Sequence, residues 1–156
     1  VTAEAHARFS AISRGYEYHI TYRKSPFAEN ENYFLPKIPD AALIQSGCQL
    51  LLGEHDFKSF AKVKTDVNNF RCRIYQAEWH QTADSAIFHI TANRFLRGMI
   101  RALVGTLLDL GFEKITMAEF EAIIAAQKRS AAGQSVPPQG LYLCDVRYPK
   151  EIILKA

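Results

Sequence analysis

Between Tyr16 and Arg23 apolar and polar side chains alternate. Tyr16, Tyr18, Ile20 and Tyr22 face one way, and Glu17, His19, Thr21 and Arg23 the other, which predicts a half-buried strand. Residues 24–39 are broken by Pro26, Pro36 and Pro39 and read as a long loop. Asp40 is placed as the N-cap of a helix over Ala41–Leu52, with Gly53 where a C′ glycine belongs. A short turn follows, in which Asp56 caps locally and Phe57 and Phe60 anchor. Arg71–Gln81 and Ala86–Ala92 are strand-like and joined by Thr82-Ala83-Asp84-Ser85, a hairpin. Phe88, Ile90 and Ala92 form the apolar face of its second strand; the first strand has a mixed pattern that does not determine its facing. The strongest helical signal runs from Arg94 to Leu110 and ends at Gly111, with Leu96, Met99, Ile100, Leu103, Val104, Leu107 and Leu110 on the buried face. Thr116 and Glu119 predict a capping box for a second helix, which continues through Phe120, Ile123 and Ile124 to Lys128. Arg129–Gly140, with Pro137-Pro138, reads as a flexible loop. Leu141–Tyr148 is a final strand stopped by Pro149.

Strand, helix, strand, strand, helix with an extra helix, strand is the order of a ferredoxin-like split βαβ domain of the α+β class. It predicts an antiparallel sheet with helices packed on one face and the other face open to a ligand or second domain. No repeat or interior linker divides residues 1–156, so one domain is expected. RNA-recognition modules share this topology, but the aromatic run they use for base stacking is missing from the middle strands.

Composition adds exclusions. With 48% hydrophobic and 22% charged residues, the 156-residue chain is neither disordered nor collagenous nor a coiled coil. Cys48, Cys72 and Cys144 are odd in number, far apart and without C-x-x-C spacing, which argues against a disulfide framework and a zinc knuckle and for a reducing compartment. No apolar run is long enough to span a membrane. The chain opens at Val1 with neither an initiator Met nor a signal-peptide pattern, as a piece of a longer protein would. A net charge of +3 is too small by itself to indicate nucleic acid.

Charge placement says more. On the predicted long helix, Arg94, Arg97 and Arg101 fall on one arc, flanked by Gly98 and Gly105. Guanidiniums beside glycine gaps suit close approach of a carboxylate or phosphate, and the same pattern describes a solvated basic face. Tyr16 reads either as a core tyrosine or as a ring that stacks on a base. His6, His19, His55, His80 and His89 show no metal-ligand spacing, so no metal is expected. There is no G-x-S-x-G elbow and no glycine-rich phosphate loop. Asp40 and Asp56 read as caps, Asp66 as a loop residue, Asp84 as a turn residue, and Asp109 and Asp145 lie near element ends.

Four stretches in order carry a resemblance. They are His6-Ala7-Arg8-Phe9-Ser10-Ala11 running into Arg14-Gly15-Tyr16-Glu17-Tyr18; Leu52-Gly53-Glu54-His55-Asp56-Phe57-Lys58-Ser59-Phe60; Asn93-Arg94-Phe95-Leu96-Arg97-Gly98-Met99-Ile100-Arg101-Ala102-Leu103-Val104-Gly105; and Gly140-Leu141-Tyr142-Leu143. Together they resemble the C-terminal half of the TruA family of tRNA pseudouridine synthases. The resemblance implies isomerisation of uridine to pseudouridine in the tRNA anticodon stem-loop, without cofactor or metal, by a cytoplasmic homodimer. It implies that Tyr16 stacks on the target base, that Arg101 pairs with the catalytic aspartate, and that Leu141 and Leu143 lie near the apolar floor of the pocket. Arg94 and Arg97 are expected on the tRNA backbone from their charge and position. The family's aspartate lies in a G-R-T-D-x-G-V-type motif upstream of the first stretch, and no such motif occurs here. The N-terminal half that carries it is therefore expected to be missing, and this chain alone to be inactive. The competing readings are a non-catalytic RNA-binding or dimerisation module of the same fold and a small-molecule-binding domain.

Overall fold

The computed structural model describes residues 6, 7, 9–24, 30–64 and 67–152; Val1, Arg8, Pro26 and Asp66 lie outside them. The described residues form six strands and three helices. The strands are β1 (Ser13–Thr21), β2 (Tyr33–Phe34), β3 (Gly53–Asp56), β4 (Arg71–Gln81), β5 (Ser85–Ala92) and β6 (Leu141–Arg147); the helices are α1 (Ala41–Leu50), α2 (Met99–Gly111) and α3 (Met117–Ala126). Four strands lie side by side in the order β6-β1-β5-β4, every neighbouring pair antiparallel. That is the spatial order of the expected split βαβ arrangement, and the fold class is α+β as predicted.

The sheet is not wholly antiparallel. β3 extends it antiparallel beside β4, but β2 pairs parallel with β1, Ile20 opposite Tyr33 and Thr21 opposite Phe34. β6 pairs with Ser13–Tyr18 and leaves the far end of the same β1 edge open, and β2 fills it. Neither β2 nor β3 was legible in the pattern. Two and four residues are too few to display a period, and their formation rests on main-chain pairing.

The capping chemistry follows the sequence. Asp40 Oδ1 accepts from the Ala42 and Leu43 N–H groups at 2.8 and 3.0 Å. Thr116 and Glu119 form the full capping box. Asp56 Oδ1 accepts from the Lys58 N–H at 2.9 Å, and Phe57 and Phe60 are fully buried. Two helix ends differ from expectation. α1 stops at Leu50, and Gly53, at φ 89°, turns the chain into β3 instead of closing the helix. α3 ends at Ala126, where Gln127 takes a left-handed conformation.

The mixed pattern of β4 has a geometric cause. Its register against β5 shifts between Ile74 and Gln76. The extra residue reverses the alternation, so Cys72 and Ile74 are buried before it and Ala77 and Trp79 after it. Phe88, Ile90 and Ala92 of β5 are fully buried, as the pattern required. They share the helix-covered face with Tyr18 and Ile20, while Glu17, His19, His89, Thr91, Glu78 and His80 lie on the other. Through the core runs α2, buried on nearly all sides from Met99 to Gly111.

The largest correction concerns where α2 begins. Gly98 adopts φ 76°, a left-handed conformation that interrupts helical hydrogen bonding, so the helix starts at Met99 rather than Arg94. Arg94 and Arg97 therefore lie in the segment leading into the helix, and with Arg101 they do not form a helical stripe. Gly105 does not leave a gap for a phosphate either. A methyl group there would run into the Gln134 carbonyl oxygen. The expected flexible loop is instead a strap bound along α2. The Gly133 N–H donates to Thr106 Oγ1 at 2.9 Å, the Val136 N–H to the Arg101 carbonyl at 3.1 Å, and Val136 is buried. Arg129 ties its start to the Gly133 carbonyl and Ser135 Oγ at 3.0 and 3.1 Å.

Candidate functional site

A cleft of about 380 Å³ opens where β1, β6 and the first turn of α2 meet. Tyr16, Phe95, Arg97, Arg101 and Leu141 line it, with Gly98 at its rim. Residues far apart in the chain thus converge on one cleft. Each is placed by a different element. Tyr16 stands on the helix-covered side of β1, opposite Leu143 in the β6 ladder, and its ring meets Phe95 edge to face with centroids 5.2 Å apart. Leu141, half-buried, pairs with Tyr18 at the start of β6. Arg101 stands on the first turn of α2.

The guanidinium of Arg101 is held from one side. Its Nε–H donates to the Val136 carbonyl at 2.6 Å. The next carbonyl along the strap, of Pro137, accepts from the Tyr18 hydroxyl at 2.7 Å. Burial pushes the Tyr18 phenol well above its ordinary value, Tyr33 adds to this, and the nearby Arg101 charge opposes it. Among the described residues no carboxylate forms an ion pair with Arg101, and no acid lines the cleft. A half-buried guanidinium fixed through Nε keeps its terminal amino groups available for a two-bonded fork to a carboxylate.

Other expected site residues sit further out. Leu143 is 54% exposed at the periphery and does not line the cleft. Arg94 lies outside the cleft as well, half-buried near Cys72, whose thiol burial pushes up to about 11 while the Arg94 charge opposes the rise. Arg97 is exposed at the cleft mouth. The sequence reading passed over Phe95, Tyr18, Val136 and Pro137 as parts of the site. Phe95 lay inside a quoted motif; Val136 and Pro137 act through main-chain carbonyls, which no side-chain pattern reveals.

A second cleft, of about 340 Å³, lies between Tyr33, Leu35 and the end of α2 and contains Asp109. That carboxylate is already paired with Lys114 at 3.4 Å. Among the described residues no group of His, Cys, Asp and Glu is arranged to hold a metal, and no helix is long and apolar enough to cross a membrane.

The fold and this cleft define a split βαβ domain whose cleft is lined by Arg101 together with the Tyr16 and Phe95 rings. Residues 48–149 match the family model described as tRNA pseudouridine synthase, and the chain belongs to that family. It is 45% identical over 152 residues to tRNA pseudouridine synthase A of Parabacteroides distasonis, which covers 97% of this chain and 60% of that protein. It is 44% identical over 156 residues to the enzyme of the same name from Porphyromonas gingivalis, covering 99% and 62%. With that of Bacillus subtilis it shares 38% over 145 residues, 92% and 59% of the two chains. The chain thus spans about three fifths of the length of these relatives.

Proposed function

We propose that this chain is the C-terminal, cleft-forming domain of a tRNA pseudouridine synthase acting on uridine in the anticodon stem-loop. The observation that carries the reading is Arg101: anchored through Nε, lining the same cleft as Tyr16, and without a carboxylate partner among the described residues. The aspartate that it would pair with is supplied by an N-terminal half of the same polypeptide. In the reaction the N1–C1′ bond of uridine breaks, the base rotates, and C5 bonds to C1′; the C5 proton leaves and N1 gains one. Arg101 keeps the aspartate ionised and aimed, because a carboxylate in an apolar cleft would otherwise take up a proton. The Tyr16 ring stacks on the base, and its hydroxyl helps remove the C5 proton. Leu141 supplies apolar floor, and Arg97 and Arg94 contact the RNA backbone. The active form is a cytoplasmic homodimer.

The test is tritium release from C5-labelled uridine in tRNA. The full-length protein is expected to release tritium and this chain alone to stay at background. In the full-length protein Tyr16→Phe should bind tRNA normally and turn over slowly, whereas Tyr16→Leu should also lose stacking worth ~1–3 kcal/mol. Turnover by this chain alone overturns the reading; equal activity of Tyr16 and Tyr16→Phe confines the ring to stacking.

A further inference from the structure

Ion pairing is uneven over the surface. Arg71 and Arg73 share Glu54, Arg23 pairs with Asp84, Lys114 with Asp109 and Arg147 with Asp145. Lys58, Lys62 and Lys64 are exposed, and among the described residues none of them forms an ion pair. The three line a groove of about 210 Å³ together with Ala61, Val63, Phe70 and Arg129, and no acid is among its described lining residues. Lys58 Nζ lies over the Phe70 ring, 5.5 Å from its centroid, a cation–π contact that fixes the ammonium above the groove wall.

The groove is continuous with the cleft. The Lys62 N–H donates to the Arg97 carbonyl at 2.9 Å, and a methyl group added at Gly98 would meet Lys62 Cβ at 3.6 Å. Arg97 and Gly98 line the cleft, and Lys62 lines the groove. The exposed cation at the cleft mouth, Arg97, therefore adjoins Lys62, Lys58 and Lys64 along the groove, which Arg129 also lines. Unpaired cations left in mutual proximity repel one another, and a polyanion that passes over them relieves that repulsion while releasing its own counterions.

We propose that the Lys58–Lys62–Lys64 tract is a second RNA-backbone site, which carries phosphates of the RNA whose target base enters the cleft. This rests on the reading of the cleft as RNA-modifying. Being outside the cleft, the tract contributes to affinity and positioning and takes no part in the chemistry.

The experiment compares the full-length protein with its Lys58→Gln/Lys62→Gln/Lys64→Gln and Lys58→Arg/Lys62→Arg/Lys64→Arg triple variants. Each neutralised phosphate contributes about 0.9 to the log–log salt slope of duplex binding, so losing three contacts flattens the slope by about 2.7. Between about 50 and about 200 mM salt the glutamine variant should then lose about 40-fold less tRNA affinity than the wild type. Its turnover at saturating tRNA and its melting temperature should be unchanged, and the arginine variant should keep the wild-type slope. A salt-dependent wild type whose slope and affinity the glutamine triple leaves intact overturns the proposal and spares the cleft. An unchanged slope with an altered oligomeric state assigns the tract to a protein contact and equally overturns it. Absence of salt-dependent tRNA affinity in the wild type removes the reading of the cleft as well.

Discussion

Arg101 and Val136 are joined in both directions. The Val136 N–H donates to the Arg101 carbonyl at 3.1 Å, and the Arg101 Nε–H donates to the Val136 carbonyl at 2.6 Å. The first bond ties the strap to α2; the second uses the strap to aim the guanidinium. A planar fork held by Nε keeps its terminal amino groups in one plane and one direction, which a flexible side chain alone would not do.

Arg101→Lys retains the charge but has one nitrogen to serve both the Val136 carbonyl and an incoming carboxylate. In the full-length protein tRNA binding should be nearly normal and single-turnover rate should fall by about 100-fold, the loss typical of one preorganised charge-stabilising contact. Arg101→Met should fall further and recover partly as pH rises and the partnering aspartate ionises unaided. Near-wild-type rates for both variants would place Arg101 outside the active site.

Gly105→Ala sets helix propensity against the strap. Alanine favours α2 by about 1 kcal/mol, but its methyl group runs into the Gln134 carbonyl, and overpacking against backbone costs about 1–3 kcal/mol. Backbone cannot yield here without moving Val136 off Arg101, so a net loss of up to about 2 kcal/mol is expected. Urea unfolding gives the stability; a midpoint equal to or above the wild type's contradicts the tight contact.

Glu17 sits on the open face of the sheet, with Oε2 2.8 Å from His19 Nε2 and Oε1 3.7 Å from His89 Nδ1. The hydrogen bond from His19 holds its carboxyl below the ordinary glutamate value, against partial burial and with help from the charges of His19 and His89. A depressed folded value means that the contribution is present above the unfolded value, about 4.3, and is lost as pH falls through the folded one. Stability should therefore decline on acidification below about pH 4.3, and Glu17→Gln should flatten part of that decline. Glu54 and Glu78, also depressed by their arginine, glutamine and histidine partners, should account for more of it. Identical acid limbs for wild type and Glu17→Gln would show that the cluster adds nothing.

The three thiols are free and unequally placed. Burial pushes Cys48 up to about 12 and Cys72 up to about 11, whereas Cys144 is exposed on β6. A thiol reagent at mildly alkaline pH should label Cys144 first in the native protein and all three after unfolding. Mass spectrometry of labelled peptides identifies the order, and early modification of Cys72 would contradict the packing around β4.

Elements whose signals are local were legible from the chain. The alternation of β1 and β5, the Asp40 and Thr116 caps and the apolar positions of α2 each lie within a few residues of their partners in sequence. Tyr16, Arg101 and Leu141 were expected together from ordered motifs, and the three line one cleft. What escaped was decided by contacts distant in sequence. The start of α2 depended on Gly98 taking a left-handed conformation, and apolar periodicity through Leu96 gave no warning of it. The strap carries few side-chain signals, since its grip on Arg101 and Tyr18 runs through carbonyls that every residue possesses. The chain by itself determined which cations exist. Only tertiary structure decided that Lys58, Lys62 and Lys64 have no ion-pair partner among the described residues while Arg71 and Arg73 are matched to Glu54, because pairing depends on distance in space, and the fold sets those distances.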